Sequence, residues 1–409
     1  MKNNNLKSRA LLLLNKASHN SQDNVEALEL LKNSAYFKKN VIKIKKTSVF
    51  MPKKLLLPIF AAISSALFSA ASIASTPVNF NSQDWQVACD NTLTCRLAGY
   101  QSDNNNELPV SLLLVRRAGA NATVDGQVKL GGAKESAAKA LMQLGNRHRI
   151  SLFINDTDYG ETRPFSATAG YAELTSAQVT ALLEALTKSS KIELVIRNAR
   201  WQLSDKGSNA VMLKADEAQG RVGTSSAFIR TNSPTKPNSS VLAPKAIPSI
   251  QLVTPNPKAT SSSKKKFAMR SSQLSKIMKS TISDVDTNCP NLSDNSPWRV
   301  SRLNSRQLLA QHDCWAGAYN TGMGVWVFND SEPYKPTLVT TAATDYSSGK
   351  ITAIQKGRGI GDCIYKAEWI WTGKDFEKSH ESTTGLCRMI EAGGAWQLPT
   401  HVTDVKISR

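Results

Sequence analysis

Residues 365–371 read YKAEWIW, and residues 372–375 continue with TGKD. Tyr, Ala, Trp and Trp at the odd positions alternate with Lys, Glu and Ile at the even positions, and this period of two predicts a strand. The glycine-containing TGKD segment is typical of a hairpin turn. VWVF at 325–328 predicts another strand that also ends at a turn. Because helical periodicity is nearly absent from 285–409, this region is predicted to be a small β domain.

The region 75–230 mixes strands with helices. Its best-marked helix has apolar residues at i, i+3, i+4 and i+7 from Val179, and Thr175 with Gln178 forms a capping box at its start. Short alternating or fully apolar runs predict strands, and two weaker patterns predict further helices. The predicted strands are 110–115, 150–154 and 192–196, and the weaker helices are 133–144 and 209–219.

Residues 231–284 differ in composition from both neighbours. Six prolines punctuate a Ser/Thr/Asn-rich stretch that leads into three consecutive lysines at 264–266. Such a segment buries too little apolar area to offset its chain entropy, which predicts a disordered linker with one short helix near 274–282. The predicted fold is therefore α+β and strand-dominated. A sandwich-like N-terminal domain at 75–230 is joined by this linker to a disulfide-stapled β domain at 285–409.

A secretory leader is predicted at 51–74. Two lysines precede a largely apolar run, and small residues end it before Ser75. Residues 1–50 are then either a mis-assigned start or a cytoplasmic tail in front of an uncleaved anchor, since they are rich in Lys and Arg. Both interpretations predict a periplasmic protein, attached to the inner membrane if the leader is not cleaved.

The net charge of +19 is unevenly distributed. Residues 1–74 carry +9 and 231–284 carry +8, whereas 75–230 carry +2 and 285–409 are neutral. A nucleic-acid-binding domain concentrates positive charge on a folded face. The distribution therefore argues against nucleic acid as a partner.

All six cysteines follow the leader. An even number in an exported chain favours disulfides, for which 15 connectivities exist. Cys89 and Cys95 are suited to a clasp across a turn, and the preferred remaining pairs are Cys363–Cys387 and Cys289–Cys314. No Cys-x-x-Cys spacing supports zinc, so no metal and no cofactor is predicted.

Several stretches resemble an exported bacterial family catalogued as domain of unknown function 1176. The resemblance covers most of 80–409 except the linker, and it implies six cysteines and a signal peptide but no activity. The Trp85-x-x-x-Cys89 opening is also loosely similar to exported, β-rich invasion-associated locus B proteins. The stretches that carry the main resemblance are 84–92, Cys95, 99–100, 113–119, 361–363, 369–376 and 387–388.

Candidate chemical motifs are weak. His312 and Cys314 flank Asp313, but an oxidised pairing of Cys314 is favoured over a nucleophile. The acidic segments 155–161 and 284–288 lack the full calcium-loop pattern, and turns are rich in Asp and Asn for backbone reasons. The glycines of 357–361 lack the Lys-Ser/Thr of a phosphate loop and indicate a turn.

The aromatic strand is the most specific binding signal. Trp369, Trp371 and Tyr365 share one face, as on a sugar-binding platform. The preferred interpretation is that the two tryptophans fill the core of the small β domain, against Trp315 or Trp326, since large aromatics dominate such cores. We expect a non-catalytic binding or modulating protein of the cell envelope whose partner is an envelope glycan or a periplasmic or outer-membrane protein. A hydrolase acting on cell-wall material is the alternative. Convergent polar groups in a concave site would favour the hydrolase, and an exposed aromatic patch would favour the binding protein.

Overall fold

Antiparallel sheets account for most of the regular structure in the computed structural model of this chain. The structure describes residues 77–104, 107–131, 141, 149–262, 267–294 and 296–407. The predicted tail at 1–50, the leader at 51–74 and most of the predicted helix at 133–144 lie outside the described residues. Among the residues described, none of the helices is both long and apolar enough to cross a membrane.

Strands dominate from the first described residues to the last. In chain order they are β1 (Val78–Ser82), β2 (Trp85–Cys89), β3 (Cys95–Tyr100), β4 (Val110–Arg116), β5 (Val124–Leu130), β6 (Ser151–Ile154), β7 (Thr157–Glu161), β8 (Ala172–Glu173), β9 (Ile192–Ile196), β10 (Ala199–Leu203), β11 (Ser249–Leu252), β12 (Arg299–Arg302), β13 (Gln307–Ala316), β14 (Thr321–Asn329), β15 (Thr337–Ala343), β16 (Asp345–Ser347), β17 (Lys350–Lys356), β18 (Ile364–Trp371), β19 (Phe376–Thr383), β20 (Leu398–Val402) and β21 (Asp404–Ile407). The described helices are α1 (Ser176–Ala185), α2 (Ser208–Ala218), α3 (Ser271–Lys279) and the single turn α4 (Val285–Asn288).

Two antiparallel sheets share a core in the first half of the chain. Their strand orders are β1-β2-β3-β4-β5-β8 and β10-β9-β6-β7. Trp85, Leu112 and Leu152 belong to the same buried cluster, to which α1 and α2 contribute Leu182 and Val211. Burial of this apolar surface away from water is the main contribution to the stability of the first half of the chain.

The capping box predicted for α1 is confirmed. Thr175 Oγ1 accepts from the Gln178 N–H at 3.2 Å, and Gln178 Oε1 accepts from the Thr175 N–H at 3.0 Å. The reciprocal bonds satisfy two backbone donors at the helix start. Helix α2 corresponds to the weaker pattern at 209–219 and is followed by Gly220 with a φ of 68°.

Two further sheets face each other in the second half. Their orders are β12-β13-β14-β15 and β16-β17-β18-β19-β20. Leu309 and Val327 of one sheet pack with Ile351 and Trp371 of the other. The hairpin predicted from TGKD is confirmed, because Trp371 pairs with Phe376 across the turn that joins β18 to β19.

The segment predicted as a disordered linker contains defined structure. Within it, β11 pairs in parallel with the C-terminal β21, and α3 buries Leu274 and Met278 against the Trp326 side of β13–β14. The helix falls near the short helix that was predicted. The composition conceals this burial because the two fully covered residues of α3 lie four apart on one face of the helix, among mostly polar and charged neighbours.

The predicted two-domain layout is not confirmed. Residues Ser72–Arg409 form one compact unit. Tyr100 of β3 lies in the same buried cluster as Trp396 and Leu398 from the C-terminal end, and Trp396 Nε1 donates to Ser111 Oγ at 2.7 Å. The C-terminal segment 385–402 therefore packs on the first sheet, and the two halves share a core.

The three preferred disulfides are confirmed. Cys89–Cys95 closes the β2–β3 turn, Cys289–Cys314 ties the α4 turn to β13, and Cys363–Cys387 joins the start of β18 to the C-terminal segment. Disulfides of this kind are typical of exported proteins.

Candidate functional site

A cleft opens between the two sheets of the second half, at the β18–β19 hairpin. Its volume is about 360 Å³. We call it the Trp369 cleft, after the aromatic residue at its side. It is lined by Gln307, Val327, Phe328, Asn329, Lys335, Thr337, Leu338, Val339, Trp369, Lys374, Asp375 and Phe376.

The Trp369 cleft has an aromatic wall and a polar rim. Trp369 is half-buried, and Lys378 Nζ lies 5.8 Å from the centre of its ring. Gln307 Nε2 donates to the Lys374 carbonyl at 2.9 Å, which fixes the hairpin against β13. Lys335 and Lys374 are exposed, and no ion pair of either is found among the described residues. Two cations are therefore available at the rim.

The three platform residues predicted from the sequence lie in different environments. Trp371 is only 1% exposed and packs on Phe376 with ring centres 5.3 Å apart. Tyr365 is 38% exposed at the other end of β18. Trp369 lies between them, where the pairing of β18 with β19 shifts register after Glu368. At about 3.3 Å per residue, Tyr365 and Trp369 are roughly 13 Å apart along the strand. Trp369 is thus the platform residue that lines the cleft.

Tyr365 belongs to a hydrogen-bond cluster around Glu381. Glu381 Oε1 accepts from the Tyr365 hydroxyl at 2.7 Å and from Lys378 Nζ at 2.8 Å, and Oε2 accepts from Thr400 Oγ1 at 3.0 Å. Burial raises the pKa of Glu381, but these hydrogen bonds outweigh it and hold the pKa below its usual range. Burial, with the adjacent carboxylate, raises the pKa of Tyr365. Glu381 is therefore an ionised carboxylate whose oxygens are hydrogen-bonded, and the Tyr365 phenol beside it is neutral.

A larger groove lies in the first half, beside α1. Its volume is about 670 Å³, and we call it the Arg116 groove. Sequence reasoning missed it; its sequence signal is the Arg116-Arg117 pair that ends the apolar run of β4. It is lined by Arg116, Ala122, Thr123, Val124, Thr180, Leu183, Glu184, Thr187, Lys188, Asn209, Ser226, Ala227, Phe228, Ile229 and Arg230.

The floor of this groove is a buried ionic network. Arg116 Nη2 donates to Asp216 Oδ1 at 2.6 Å, and its Nε donates to Gln219 Oε1 at 2.8 Å. Arg221 donates to the same Gln219 oxygen at 3.0 Å. Burial lowers the pKa of Arg116 to about 10, although Asp216 opposes the shift, so the guanidinium stays charged at neutral pH. The Phe228 ring lies 3.4 Å from the Arg116 guanidinium carbon.

The motif at His312 has a structural role in this fold. Cys314 is disulfide-bonded, and His312 is fully buried with its ring stacked on Trp298 at 4.6 Å. His312 Nε2 lies 2.9 Å from the carbonyl oxygen of Asn291. A cysteine nucleophile is therefore not available here.

The segments weighed as calcium or phosphate loops are occupied by internal contacts. Asp156 pairs with Lys191 at 2.9 Å in the β6–β7 turn, and Asp284 caps α4 through the Thr287 N–H at 3.2 Å. Arg358 of the glycine-rich turn at 357–361 donates to both oxygens of Asp362, at 2.7 and 2.5 Å.

One cluster has the composition of a metal site. Within the described residues, Asp362, Cys363 and Cys387 bring possible ligand atoms within 4.8 Å of one another. Since the two cysteines are joined to each other, neither offers a thiolate. The cluster is therefore a structural disulfide beside Asp362 and not a metal site.

A serine and a histidine meet on the outer face of the β18–β19 pair. Ser382 Oγ and His380 Nε2 are 2.9 Å apart. Burial lowers the pKa of His380, while Glu368 opposes the shift. Ser382 is only 2% exposed, and Glu368 is held by Lys350 and Lys366 at 2.9 Å each. A substrate would have little access to this serine.

The family model described as Protein of unknown function (DUF1176) matches residues 79–403. The chain is also similar to the uncharacterized protein YpfG of Escherichia coli (strain K12), with 24% identity over 373 residues, covering 83% of this chain and 97% of the relative. No solved structure matches at a significant level. The likeness to invasion-associated locus B proteins is not shown by these comparisons.

Proposed function

Since the chain belongs to the family Protein of unknown function (DUF1176), whose matched relative is also uncharacterized, we propose a function from the geometry of its clefts. The protein is an exported, non-catalytic binding protein that holds an envelope glycan in the Trp369 cleft. The observation that carries this proposal is the half-buried Trp369 beside Phe376 in a cleft with polar edges.

The chemistry of the cleft fits a sugar. An aromatic face packs on the apolar C–H face of a pyranose ring, and side-chain amides and lysines can bond its hydroxyls. The cleft volume of about 360 Å³ lies within the range of small-ligand sites, roughly 300–1,000 Å³. Gln307 and Asn329 are already oriented by hydrogen bonds to backbone carbonyls, which limits the entropy lost on binding.

Export supports an envelope ligand. Three disulfides indicate an oxidising compartment. The leader at 51–74 would deliver the mature chain, beginning at Ser75, to the periplasm. N-terminal sequencing of protein from a periplasmic extract should begin within a few residues of Ser75. Recovery of the full-length chain in the cytosol with reduced thiols would overturn this part of the proposal.

The hydrolase alternative rests on the Ser382–His380 contact. Ser382 is buried, and neither residue lines the Trp369 cleft or the Arg116 groove. A nucleophile must reach the reacting atom, so this contact favours a structural role. Ser382→Ala measures the alternative directly: release of soluble sugar from cell-wall material that depends on Ser382 would establish hydrolysis.

Binding can be tested with defined glycans. We expect mature protein to bind soluble peptidoglycan fragments or chito-oligosaccharides in calorimetry. Trp369→Ala should weaken binding by about tenfold, which corresponds to about 1.4 kcal/mol. Tyr319→Ala is the matched control, because Tyr319 is an aromatic residue with 47% exposure that does not line the cleft. Equal affinity of both variants, or no binding of any glycan by the wild type, would refute the proposal.

A further inference from the structure

The Arg116 groove lies beside a stretch of sheet edge with which none of the described strands pairs. Strand β5 pairs with β8 only at Gln127 and Val128, and the Gly126 carbonyl accepts from the Leu174 N–H at 2.9 Å. In an antiparallel strand the backbone groups of residues i and i−2 point the same way. The N–H and C=O of Val124 therefore point away from β4, on the side where β8 no longer runs. Val124 also lines the groove.

The groove floor carries an excess of buried positive charge. Arg116 is 2% exposed and Arg221 is fully buried, but Asp216 is the only carboxylate of the network among the described residues. Asp216 also accepts from the backbone N–H groups of Phe228 and Ile229 at 3.0 Å each. Arg221 donates instead to neutral acceptors. The two guanidiniums, of Arg116 and Arg221, are therefore balanced by a single carboxylate, and one positive charge is left over. An anion in the groove would offset this charge.

A further cation lies at the groove wall. Arg230 lines the groove, and its Nε donates only to the Ala227 carbonyl at 3.4 Å, with no carboxylate in ion-pair contact among the described residues. Lys188 and Glu184, which also line the groove, pair at 2.9 Å and offset each other. The charged groups around the groove are therefore positive on balance.

The rest of the lining is apolar or weakly polar. Val124, Leu183 and Ile229 line the groove beside the Phe228 ring. A ligand that fits must therefore combine an anionic group with apolar side chains and, at Val124, free backbone donors and acceptors. An extended peptide has all three features.

We propose that the Arg116 groove binds an extended acidic peptide of a partner protein, which adds a strand to β5 at Val124 and directs a carboxylate side chain toward the exposed Arg230. This site is separate from the Trp369 cleft and does not depend on glycan binding. Backbone hydrogen bonds to the edge would supply affinity, and the arginines would select acidic over basic sequences.

The test uses a fluorescent octapeptide that alternates Val and Glu, with a Val/Lys octapeptide of the same length as its counterpart. We expect the mature chain to bind the Val/Glu peptide at least tenfold more tightly, and the affinity to fall as salt rises. Arg230→Ala should weaken binding at least tenfold. Arg163→Ala is the matched control, because Arg163 is 69% exposed and lies outside the groove lining, and it should stay within twofold.

The edge contact is tested separately by Val124→Pro. Proline removes the outward N–H but leaves the bonds to β4, which come from the alternate residues. We expect loss of peptide binding with an unchanged far-UV spectrum. If this variant fails to fold, a Val/Glu peptide with N-methylated alternate residues tests the same contact on the wild type. Equal binding of both octapeptides, no effect of Arg230→Ala, or equal binding of free glutamate would overturn the proposal.

Discussion

Replacing Arg388 with Ala should destabilise the whole described unit and not only its C-terminal sheets. Arg388 follows Cys387 in the segment that packs on the first sheet. Its Nη2 donates to Asp84 Oδ1 at 2.9 Å, and its backbone carbonyl accepts from Gln101 Nε2 at 2.8 Å. Nη1 also pairs with Asp103. The substitution therefore removes a cation that joins the C-terminal segment to Asp84, 304 positions earlier in the chain.

The magnitude follows from burial. The Arg388 and Asp84 side chains are 9% and 11% exposed. Removing one partner of a buried pair costs about 3–5 kcal/mol, because the other charge stays buried. Asp84 keeps a hydrogen bond from Ser204 Oγ at 2.6 Å, so we expect the lower end, about 3 kcal/mol. Lys188→Ala breaks an exposed pair and should cost far less, because solvent screens that pair.

Urea unfolding followed by tryptophan fluorescence measures the free energy of unfolding. Hydrogen exchange shows which strands lose stability in the variant. We expect one transition shifted to lower urea, with faster exchange in β2 and β3 as well as in 385–402. A loss under 1 kcal/mol would refute the energetic reasoning. Faster exchange confined to the second half would show that the halves unfold independently, as the two-domain layout predicts.

Three further perturbations test other parts of the fold. Hydrogen bonds from Arg358 and from a backbone N–H outweigh burial and lower the pKa of Asp362, so its stabilising effect is complete above about pH 4 and is lost as pH falls. The melting temperatures of wild type and Asp362→Asn should therefore differ at pH 7 and converge in acid; a constant difference would contradict this. Changing Cys363 and Cys387 to Ser should cost about 3 kcal/mol on the chain-entropy model, measured by urea unfolding, since the two cysteines are 24 positions apart in the sequence. Leu274→Ala should cost about 2–5 kcal/mol in the same assay, and no effect would restore the linker interpretation of α3.

Local signals were sufficient for some elements. Two elements were predicted correctly because they involve residues close in sequence: the β18 strand with its TGKD turn, and the Thr175–Gln178 capping box. Such local patterns can be recognised without knowing the tertiary structure. The positions of the cysteines along the chain also identified the disulfides, because each bonded pair closes a short loop. These features required no knowledge of distant partners.

Long-range pairing could not be predicted in this way. Strand β11 pairs with β21 in parallel, although Ser249 and its partner Asp404 are far apart in the chain. Neither segment has a strong alternating pattern, and a proline-rich composition suggested a linker. The stabilising contacts come from the partner strand and from Leu303, whose carbonyl accepts from the Asn256 N–H at 3.0 Å.

The aromatic platform shows the same limit on a smaller scale. Trp369 and Trp371 are equivalent by alternation, yet Trp371 is covered by the facing sheet while Trp369 lies at the cleft. The difference depends on which residues of the facing sheet lie opposite each tryptophan, which no pattern within β18 encodes. The Arg116 groove was missed for a related reason: its arginines, Asp216 and Phe228 converge from separate elements.

The charge at the rim also bears on which glycan the Trp369 cleft would prefer. Val253 of the predicted linker donates to the Trp371 carbonyl at 2.8 Å, and Asn304 Nδ2 donates to the Gly373 carbonyl at 3.1 Å, so both hold the hairpin that forms the cleft. Lys335 and Lys374 line the cleft and are exposed. Positive charge is therefore held on the folded surface at the cleft. A charge fixed in this way attracts an anionic polymer over about a Debye length, roughly 8 Å at physiological salt. An acidic glycan should accordingly bind more tightly than a neutral one, with the advantage shrinking as ionic strength rises.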